Sequence, residues 1–191
     1  MLKRDEIINI LGEAGVLLEG HFQLTSGRHS DKYLQCAKLF RSSKYSEVIC
    51  AELAAKFKKD NIELVAGPAL GAVIMAYEVA RALKVGNAFA ERDHEGKMCL
   101  RRGFSIEEGQ RVLVVEDVVT TGGSVKEVIK IIEDRGGVVA GIGCVADRSG
   151  GKIDFGYNFK SVLEMEVQSW LPHECPLCAK GGAAVKPGSR K

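Results

Sequence analysis

The chain has 191 residues, of which 46% are hydrophobic, so it is long enough to bury a core within a single domain. Its 27 basic and 25 acidic residues nearly balance, which argues against a dedicated nucleic-acid binder, because such proteins usually carry a strong basic excess. The last twelve residues, KGGAAVKPGSRK, hold four of the basic residues and no acidic one, so the tail is locally basic.

Neither a targeting signal nor a membrane span is indicated by the sequence. The N-terminal stretch MLKRDEIINIL mixes charged residues with apolar ones, unlike a secretory signal peptide. The longest weakly polar run, from Leu64 to Tyr77, is too short to cross a bilayer and contains a proline. Six cysteines are scattered along the chain without the spacing of a disulfide framework. We therefore expect a soluble, cytoplasmic protein with reduced thiols.

Apolar periodicity predicts helices and strands in alternation. An amphipathic helix is predicted over Lys3–Ala14, and a short strand near Lys32–Cys36 within a turn-rich segment. Ser43 is the predicted cap of the next helix. The later predicted strands are IELVAG, NAFAER, RVLVVED, VVAGIGCVAD and FKSVLEMEV. The later predicted helices are ALGAVIMAYEVARAL and GSVKEVIKIIEDRGG, and a polar loop precedes RVLVVED. This order predicts an α/β fold with a mostly parallel sheet, in which ligands bind at the carboxyl ends of the strands.

One stretch, VLVVEDVVTTGGSV, joins a predicted strand to a predicted helix through charged and glycine-rich residues. Glu116 and Asp117 end the apolar run, and carboxylates accept hydrogen bonds from vicinal hydroxyls such as those of a ribose. Gly122 and Gly123 open the helix, whose free amides form a phosphate site. The ligand implied is a ribose 5-phosphate. The simpler alternative is that the two carboxylates cap the following helix.

Two other phosphate-binding motifs fit the sequence poorly. The P-loop string Gly-x-x-x-x-Gly-Lys-Ser/Thr does not occur. GIGCVA, from Gly141 to Ala146, matches Gly-x-Gly-x-x-Ala, but it lies inside a strand pattern and no helix follows it. We interpret that match as a coincidence rather than as a dinucleotide site.

The stretch VLVVEDVVTTGGS resembles the motif by which type I phosphoribosyltransferases bind 5-phosphoribosyl 1-diphosphate (PRPP). GHFQLTSGRHSDKYLQC and ADRSGG resemble segments of orotate phosphoribosyltransferases, and of their short bacterial branch in particular. The resemblance implies a type I phosphoribosyltransferase fold, a mostly parallel sheet flanked by helices with a small hood from both chain ends. It implies one domain over residues 1–191, with 1–40 in the base-binding hood and 172–191 as a basic tail containing CPLC.

The resemblance also assigns residues. It implies catalytic roles for Glu116, Asp117, Arg92 and Lys97, the last two in a mobile loop that closes over the diphosphate. It implies that PRPP is bound by Glu116, Asp117, Val118, Val119, Thr120, Thr121, Gly122, Gly123 and Ser124. Orotate, a planar carboxylate, would be held by Thr120, Arg148 and Tyr33, although Arg148 could instead form a structural ion pair with Asp147. Mg²⁺ would be held through PRPP rather than directly by the protein.

The partners implied are orotate, PRPP and a second copy of the chain, in a homodimer whose loop is shared across the interface, with no nucleic acid and no membrane. Two alternatives stay open: a phosphoribosyltransferase for a purine or other base, and a PRPP-sensing regulatory protein. The chain departs from the family at two places where a lysine is common. Thr25 precedes the Ser-Gly turn, and Leu70, Gly71 and Ala72 follow Gly-Pro-Ala.

The string HECPLC groups His173, Cys175 and Cys178 near the end of the chain. A Cys-x-x-Cys pair is half of many zinc sites, but no second pair follows it here. These three residues form a candidate for a minor structural metal site that would need another ligand. A structural or reduced pair of thiols is the alternative.

Overall fold

The structure, a computed structural model, describes residues 1–24 and 26–187, so Thr25 lies outside the described residues. The helices are α1 (Arg4–Glu13), α2 (Ser43–Lys56), α3 (Val73–Leu83), α4 (Gly123–Asp134) and α5 (Pro176–Ala179), with 3₁₀ helices over Cys36–Arg41 and Pro172–Glu174. The strands are β1 (Leu17–Gln23), β2 (His29–Leu34), β3 (Leu64–Pro68), β4 (Gly86–Arg92), β5 (Met98–Leu100), β6 (Arg111–Val119), β7 (Val138–Asp147), β8 (Phe159–Glu164) and β9 (Ser169–Trp170). No helix among these residues is long and apolar enough to cross a membrane.

The main sheet has six strands in the order β5-β4-β3-β6-β7-β8. All neighbours are parallel except β4 and β5, an antiparallel pair in which β5 lies inside the predicted polar loop. The central strand β6 is buried on both faces. Leu113 and Val115 pack into a core with α2 and α3, whereas Val112 and Val114 pack into another with α4. A strand covered on both sides is apolar at successive positions, and the predicted mostly parallel α/β sheet is confirmed.

The glycines of GIGCVA serve close packing. A Cβ on Gly141 would lie 2.7 Å from the ring of Phe57, and one on Gly143 would lie 3.1 Å from the Leu53 side chain. Both partners belong to the α2 region and are fully buried, so the helix sits directly on this strand. β7 runs through the whole stretch, which supports its interpretation as part of a strand.

A second, smaller sheet combines both ends of the chain in the order β1-β2-β9, and we call it the hood sheet. β1 was not predicted, because Gly20 interrupts it and its register with β2 shifts between Glu19 and Phe22. The strand predicted near Lys32–Cys36 is β2, which begins and ends earlier. The tail adds to the edge of β1, where the Val185 amide donates to the carbonyl of His21 over 2.8 Å.

The predicted N-cap of α2 needs correction. Ser42 rather than Ser43 occupies the N-cap position of α2, and its side chain makes no capping hydrogen bond. α1 lies within the predicted Lys3–Ala14 helix, with Ile7 and Leu11 buried.

Candidate active site

The predicted carboxylate pair lies on β6, the centre of the main sheet. The strand continues past Asp117 to Val119, two residues beyond its predicted end, because β7 is long enough to pair with Val118 and Val119. The Asp117 amide donates to Glu116 Oε1 over 3.1 Å, and Asp117 Oδ1 accepts from the Val118 amide over 2.8 Å. The N-cap residue of α4 is Gly122, so neither carboxylate occupies the capping position and that alternative is wrong.

A cavity of about 690 Å³ opens at this end of the sheet. Residues 116–124, the complete predicted PRPP segment, line it together with Arg92. The turn after β3, Pro68–Gly71, which contains the departure from the family at Leu70 and Gly71, also lines the cavity, as does Glu127 on α4, which was not predicted. The turn lies beside the carboxylates because β3 is the parallel neighbour of β6, so the carboxyl ends of both strands lie at the same edge of the sheet.

The first turn of α4 provides the predicted anion site. Gly122 has φ +71°, in the left-handed region that favours glycine, and a Cβ there would lie 2.6 Å from the Phe155 ring. The backbone can therefore turn sharply from β6 into the helix. The first amides of an α-helix have no partner within it, and the helix dipole places positive potential beside them. An anion held here would lie in the same cavity as the two carboxylates.

Gly71 brings the turn after β3 against Asp117. A Cβ built on Gly71 would lie 3.0 Å from Asp117 Oδ2 and 3.2 Å from Oδ1. Glycine at this position therefore lets the turn approach the carboxylate without displacing it.

We expect Gly71→Ala to displace the Asp117 carboxylate and to raise about tenfold the KM for PRPP, the substrate that the resemblance implies, since small misplacements of a binding group are costly. Gly12→Ala is the matched control, because a Cβ at Gly12 in α1 meets nothing within 4 Å. Steady-state kinetics of both variants test this. An unchanged KM in Gly71→Ala would show that the carboxylate moves aside without cost.

A second cavity, of about 720 Å³, adjoins the first and shares Asp117, Val118, Thr120 and Thr121 with it. Its lining includes Tyr33 from the hood sheet and Arg148 from the end of β7, so the three predicted orotate residues are brought together. Cys36 and Ser169 also line it and were not predicted. They come from segments that only the tertiary fold brings beside β6.

Arg148 is a partly buried cation whose charge is poorly compensated. Its Nε is buried without a hydrogen-bond partner among the described residues. Desolvation by burial lowers the pKa of the guanidinium from its ordinary value, which shows that the charge loses hydration here. No ion pair of Arg148, with Asp147 or with another acidic residue, occurs in the described part of the chain. Asp147 Oδ1 accepts instead from the Ser149 amide over 2.8 Å. An anionic group in the cavity would restore the missing interaction.

Comparison with known proteins agrees with this geometry. Residues 41–174 match the phosphoribosyl transferase domain family. Orotate phosphoribosyltransferase from Pelotomaculum thermopropionicum is 56% identical over 190 residues, covering 100% of both chains. The chain belongs to the orotate phosphoribosyltransferase family. The crystal structure of orotate phosphoribosyltransferase from Aeropyrum pernix, at 25% identity, has a TM-score of 0.73 over 83% of this chain and 93% of that one.

The fold alone does not distinguish this family from its neighbours. Adenine phosphoribosyltransferase from Thermoanaerobacter pseudethanolicus superposes with a TM-score of 0.62 at 21% identity, covering 70% of this chain and 88% of that one. The two proteins share a fold, whereas the base they bind depends on the cavity. In this orotate phosphoribosyltransferase family member, the second cavity is lined by residues of the hood sheet, by Arg148 and by the segment that follows β6.

The two predicted loop cations differ in their placement. Arg92 lines the first cavity, but its guanidinium forms two hydrogen bonds with Glu127, at 3.1 and 2.7 Å, and a third with the Gly96 carbonyl. Lys97 lies in the exposed turn between β4 and β5, outside the lining of either cavity. Arg92 therefore lies at the cavity of its own chain, whereas Lys97 does not.

The candidate metal set needs one correction. His173 is exposed, with its Nε2 3.6 Å from Glu174 Oε1, and it does not join the thiols. Cys175 and Cys178 instead meet His21 and His29 of the hood sheet. These histidines precede the thiols by about 150 residues, so only the tertiary fold reveals them.

Proposed function

We propose that the chain transfers the 5-phosphoribosyl group of PRPP to orotate, giving orotidine 5′-phosphate and diphosphate, in the synthesis of UMP. The observation that carries the proposal is the junction of the two cavities at Asp117 and Thr120. One cavity has carboxylates and a helix N-terminus for a phosphorylated ribose. The other has an uncompensated guanidinium for an anionic base.

PRPP fits the first cavity from one end to the other. The amides of residues 121–124 would bind the 5-phosphate, because they lie at the positive end of α4. Glu116 and Asp117 would accept hydrogen bonds from the ribose hydroxyls. The turn after β3 faces Asp117 and would lie beside the diphosphate. C1 of the ribose then points toward the second cavity, where the base binds.

The reaction replaces one bond at C1 with another. The bond between C1 and the diphosphate oxygen breaks, and the diphosphate keeps the electron pair. A ring nitrogen of orotate forms the new bond to C1 and loses its proton to the diphosphate or to solvent. Positive charge develops on the ribose ring during this exchange, and Glu116 and Asp117 stabilise it electrostatically. Cations stabilise the leaving diphosphate, and no strong general base is required because C1 is already electrophilic.

Arg148 would bind the carboxylate of orotate. A guanidinium presents two parallel N–H donors to a carboxylate, and its burial strengthens the interaction. Thr120 lies where the two cavities join and would contact the base beside C1, while Tyr33 from β2 covers the cavity from the hood sheet. Residues 1–40 would thereby form the base-binding hood, together with the C-terminal segment that carries β9.

Mg²⁺ fits the first cavity as a cofactor held mainly by substrate. Glu116 and Asp117 offer the hard oxygen atoms that this ion prefers, and the cavity is large enough for PRPP with its hydrated ion. When bound, Mg²⁺ neutralises charge on the diphosphate. This contribution matters more here because the turn after β3 contains Leu70 and Gly71 and no lysine.

A homodimer would complete the site. Leu70, Ile74 and Tyr77 are 89%, 50% and 55% exposed and form an apolar stripe running from the cavity rim along α3. Such a stripe favours burial against a second copy. Lys97 is exposed and forms no ion pair in the described part of the chain. In a dimer it would reach the diphosphate of the PRPP bound to the partner subunit. The free thiols of all six cysteines support a cytoplasmic location.

Arg148→Ala tests the base assignment. We expect the KM for orotate to rise at least tenfold, since the loss of even one of the two hydrogen bonds to the carboxylate costs about 1.5–3 kcal/mol, while the KM for PRPP stays nearly unchanged. Arg135→Ala is the matched control, since Arg135 is exposed at the opposite end of α4. A parallel rise of both constants in Arg148→Ala would assign this residue a structural role.

The acceptor base is tested by mixing the wild-type chain with PRPP, Mg²⁺ and one base at a time while following the absorbance of the base. We expect consumption of orotate only. Consumption of hypoxanthine or uracil in its place would identify a phosphoribosyltransferase for another base. Turnover of no base would favour the regulatory alternative.

A further inference from the structure

We propose that His21, His29, Cys175 and Cys178 form a structural zinc site that fastens the C-terminal segment to the hood sheet. His21 lies on β1 and His29 begins β2, whereas Cys175 directly precedes α5 and Cys178 lies within it. One potential ligand atom from each residue lies within 4.8 Å of all the others. The site is separate from the two substrate cavities, and its existence does not depend on the proposed reaction.

The four ligand atoms form a compact cluster. His21 Nε2 is 3.0 Å from His29 Nδ1, 3.4 Å from Cys175 Sγ and 3.7 Å from Cys178 Sγ. His29 Nδ1 is 3.2 Å from Cys178 Sγ. Each histidine therefore directs one ring nitrogen toward the thiols. His29 and Cys175 are 8% and 3% exposed, so the cluster is largely shielded from water.

These separations match the edges of a zinc tetrahedron. With Zn–N near 2.0 Å and Zn–S near 2.3 Å, tetrahedral angles place two nitrogens about 3.3 Å apart and a nitrogen and a sulfur about 3.5 Å apart. Four of the six edges, from 3.0 to 3.7 Å, bracket these distances, and the two remaining edges are no longer than 4.8 Å. Small side-chain adjustments would therefore bring all four atoms to bonding distance of one ion.

The donor set favours zinc over other cations. Two thiolates and two imidazoles are soft to borderline ligands, and four of them close a tetrahedron as structural zinc sites do. Magnesium and calcium prefer oxygen atoms, and this cluster contains no carboxylate. Zinc binding would release the two thiol protons to solvent. The competing occupant of the same geometry is a Cys175–Cys178 disulfide, which would leave the two imidazoles hydrogen-bonded only to each other.

The position of the cluster indicates what the metal would do. The tail returns to the same place, since Gln23 donates to the Val185 carbonyl and the Val185 amide donates to the His21 carbonyl, each over 2.8 Å. α5 is only four residues long, too short to be stable on its own propensity. A zinc ion would fix this segment on β1 and β2. Because Tyr33 on β2 lines the second cavity, the site would hold the hood sheet in its base-binding position.

Metal analysis of the full-length chain tests the proposal. The protein is produced in zinc-supplemented medium, purified under reducing conditions, and its metal content is measured by mass spectrometry. We expect about one zinc per chain, held against dialysis, and the double variant Cys175→Ser with Cys178→Ser should retain less than about a tenth of that. His173→Ala and Cys99→Ser are matched controls outside the cluster and should keep the metal.

Cobalt substitution provides a readout in the unaltered chain. Metal-free protein titrated with Co²⁺ should develop the visible bands of a tetrahedral site and the near-ultraviolet bands of thiolate ligation, saturating at one equivalent. Added zinc should then displace Co²⁺ and abolish these absorption bands. Removing the metal should also lower the midpoint of thermal unfolding, since the ion binds only the folded chain.

Two results would overturn the proposal. Titration of only four of the six thiols in denaturant would show a disulfide between Cys175 and Cys178. Six reactive thiols with neither zinc nor a cobalt spectrum would show that the four side chains only hydrogen-bond to each other. Both results are independent of catalysis, so turnover of orotate by metal-free protein would leave the proposed function standing.

Discussion

Replacing both predicted PRPP carboxylates, as Glu116→Gln with Asp117→Asn, is expected to lower kcat/KM for PRPP by about 10²- to 10⁴-fold. A hydrogen bond to a charged group contributes about 1.5–3 kcal/mol, and two such bonds to the ribose hydroxyls would be weakened together. Both side chains line the substrate cavity rather than the apolar core, so the midpoint of thermal unfolding should change little. Steady-state kinetics and thermal unfolding of the same preparation measure both quantities.

The matched control is Glu133→Gln with Asp134→Asn, which neutralises an equal pair of adjacent acidic residues in the last turn of α4. Glu133 accepts from the Tyr157 hydroxyl and Asp134 pairs with Lys130, both at the surface. This variant should retain wild-type kinetics. Loss of activity in both double variants, or wild-type kinetics in the first, would exclude the proposed role of Glu116 and Asp117.

Local signals explain why residues 116–124 could be predicted from the sequence alone to lie at the carboxyl end of a central strand, where they line the first cavity. An apolar run, two carboxylates and a glycine pair follow one another within residues 112–125, and each acts on its immediate neighbours. β6 is buried on both faces, so its apolar run marks it as a central strand, and the following glycines mark the helix start. The cavity needs little more than this strand, this helix and the adjacent β3 turn.

The hood shows where sequence reasoning fails. β1 contains a glycine and a register shift, and β9 has only two residues, so neither has the period-two pattern by which strands are recognised. The ligand set around Cys175 and Cys178 was predicted wrongly for a related reason. His173 is close in sequence, but His21 and His29 are close in space, and nothing local indicates a contact across about 150 residues.

Complementation between two inactive variants is the second large effect we expect. Asp117→Asn impairs the ribose site of its own chain. Lys97→Ala removes a cation from the exposed turn between β4 and β5, which does not line the cavity of its own chain. If the turn acts on the partner subunit, a heterodimer of the two variants has one site with both defects and one site with neither.

Random pairing makes half of the dimers mixed, and each mixed dimer has one intact site of two, so activity should recover to about a quarter of wild type after dissociation and reassociation. The separate variants, and the mixture without dissociation, provide the baselines. Activity is measured at saturating PRPP and orotate, with subunit exchange followed by mass spectrometry of differently tagged chains. If exchange is complete and activity stays at the mean of the two variants, each chain uses its own Lys97. The exposed apolar stripe of Leu70, Ile74 and Tyr77 would then not bring two active sites together.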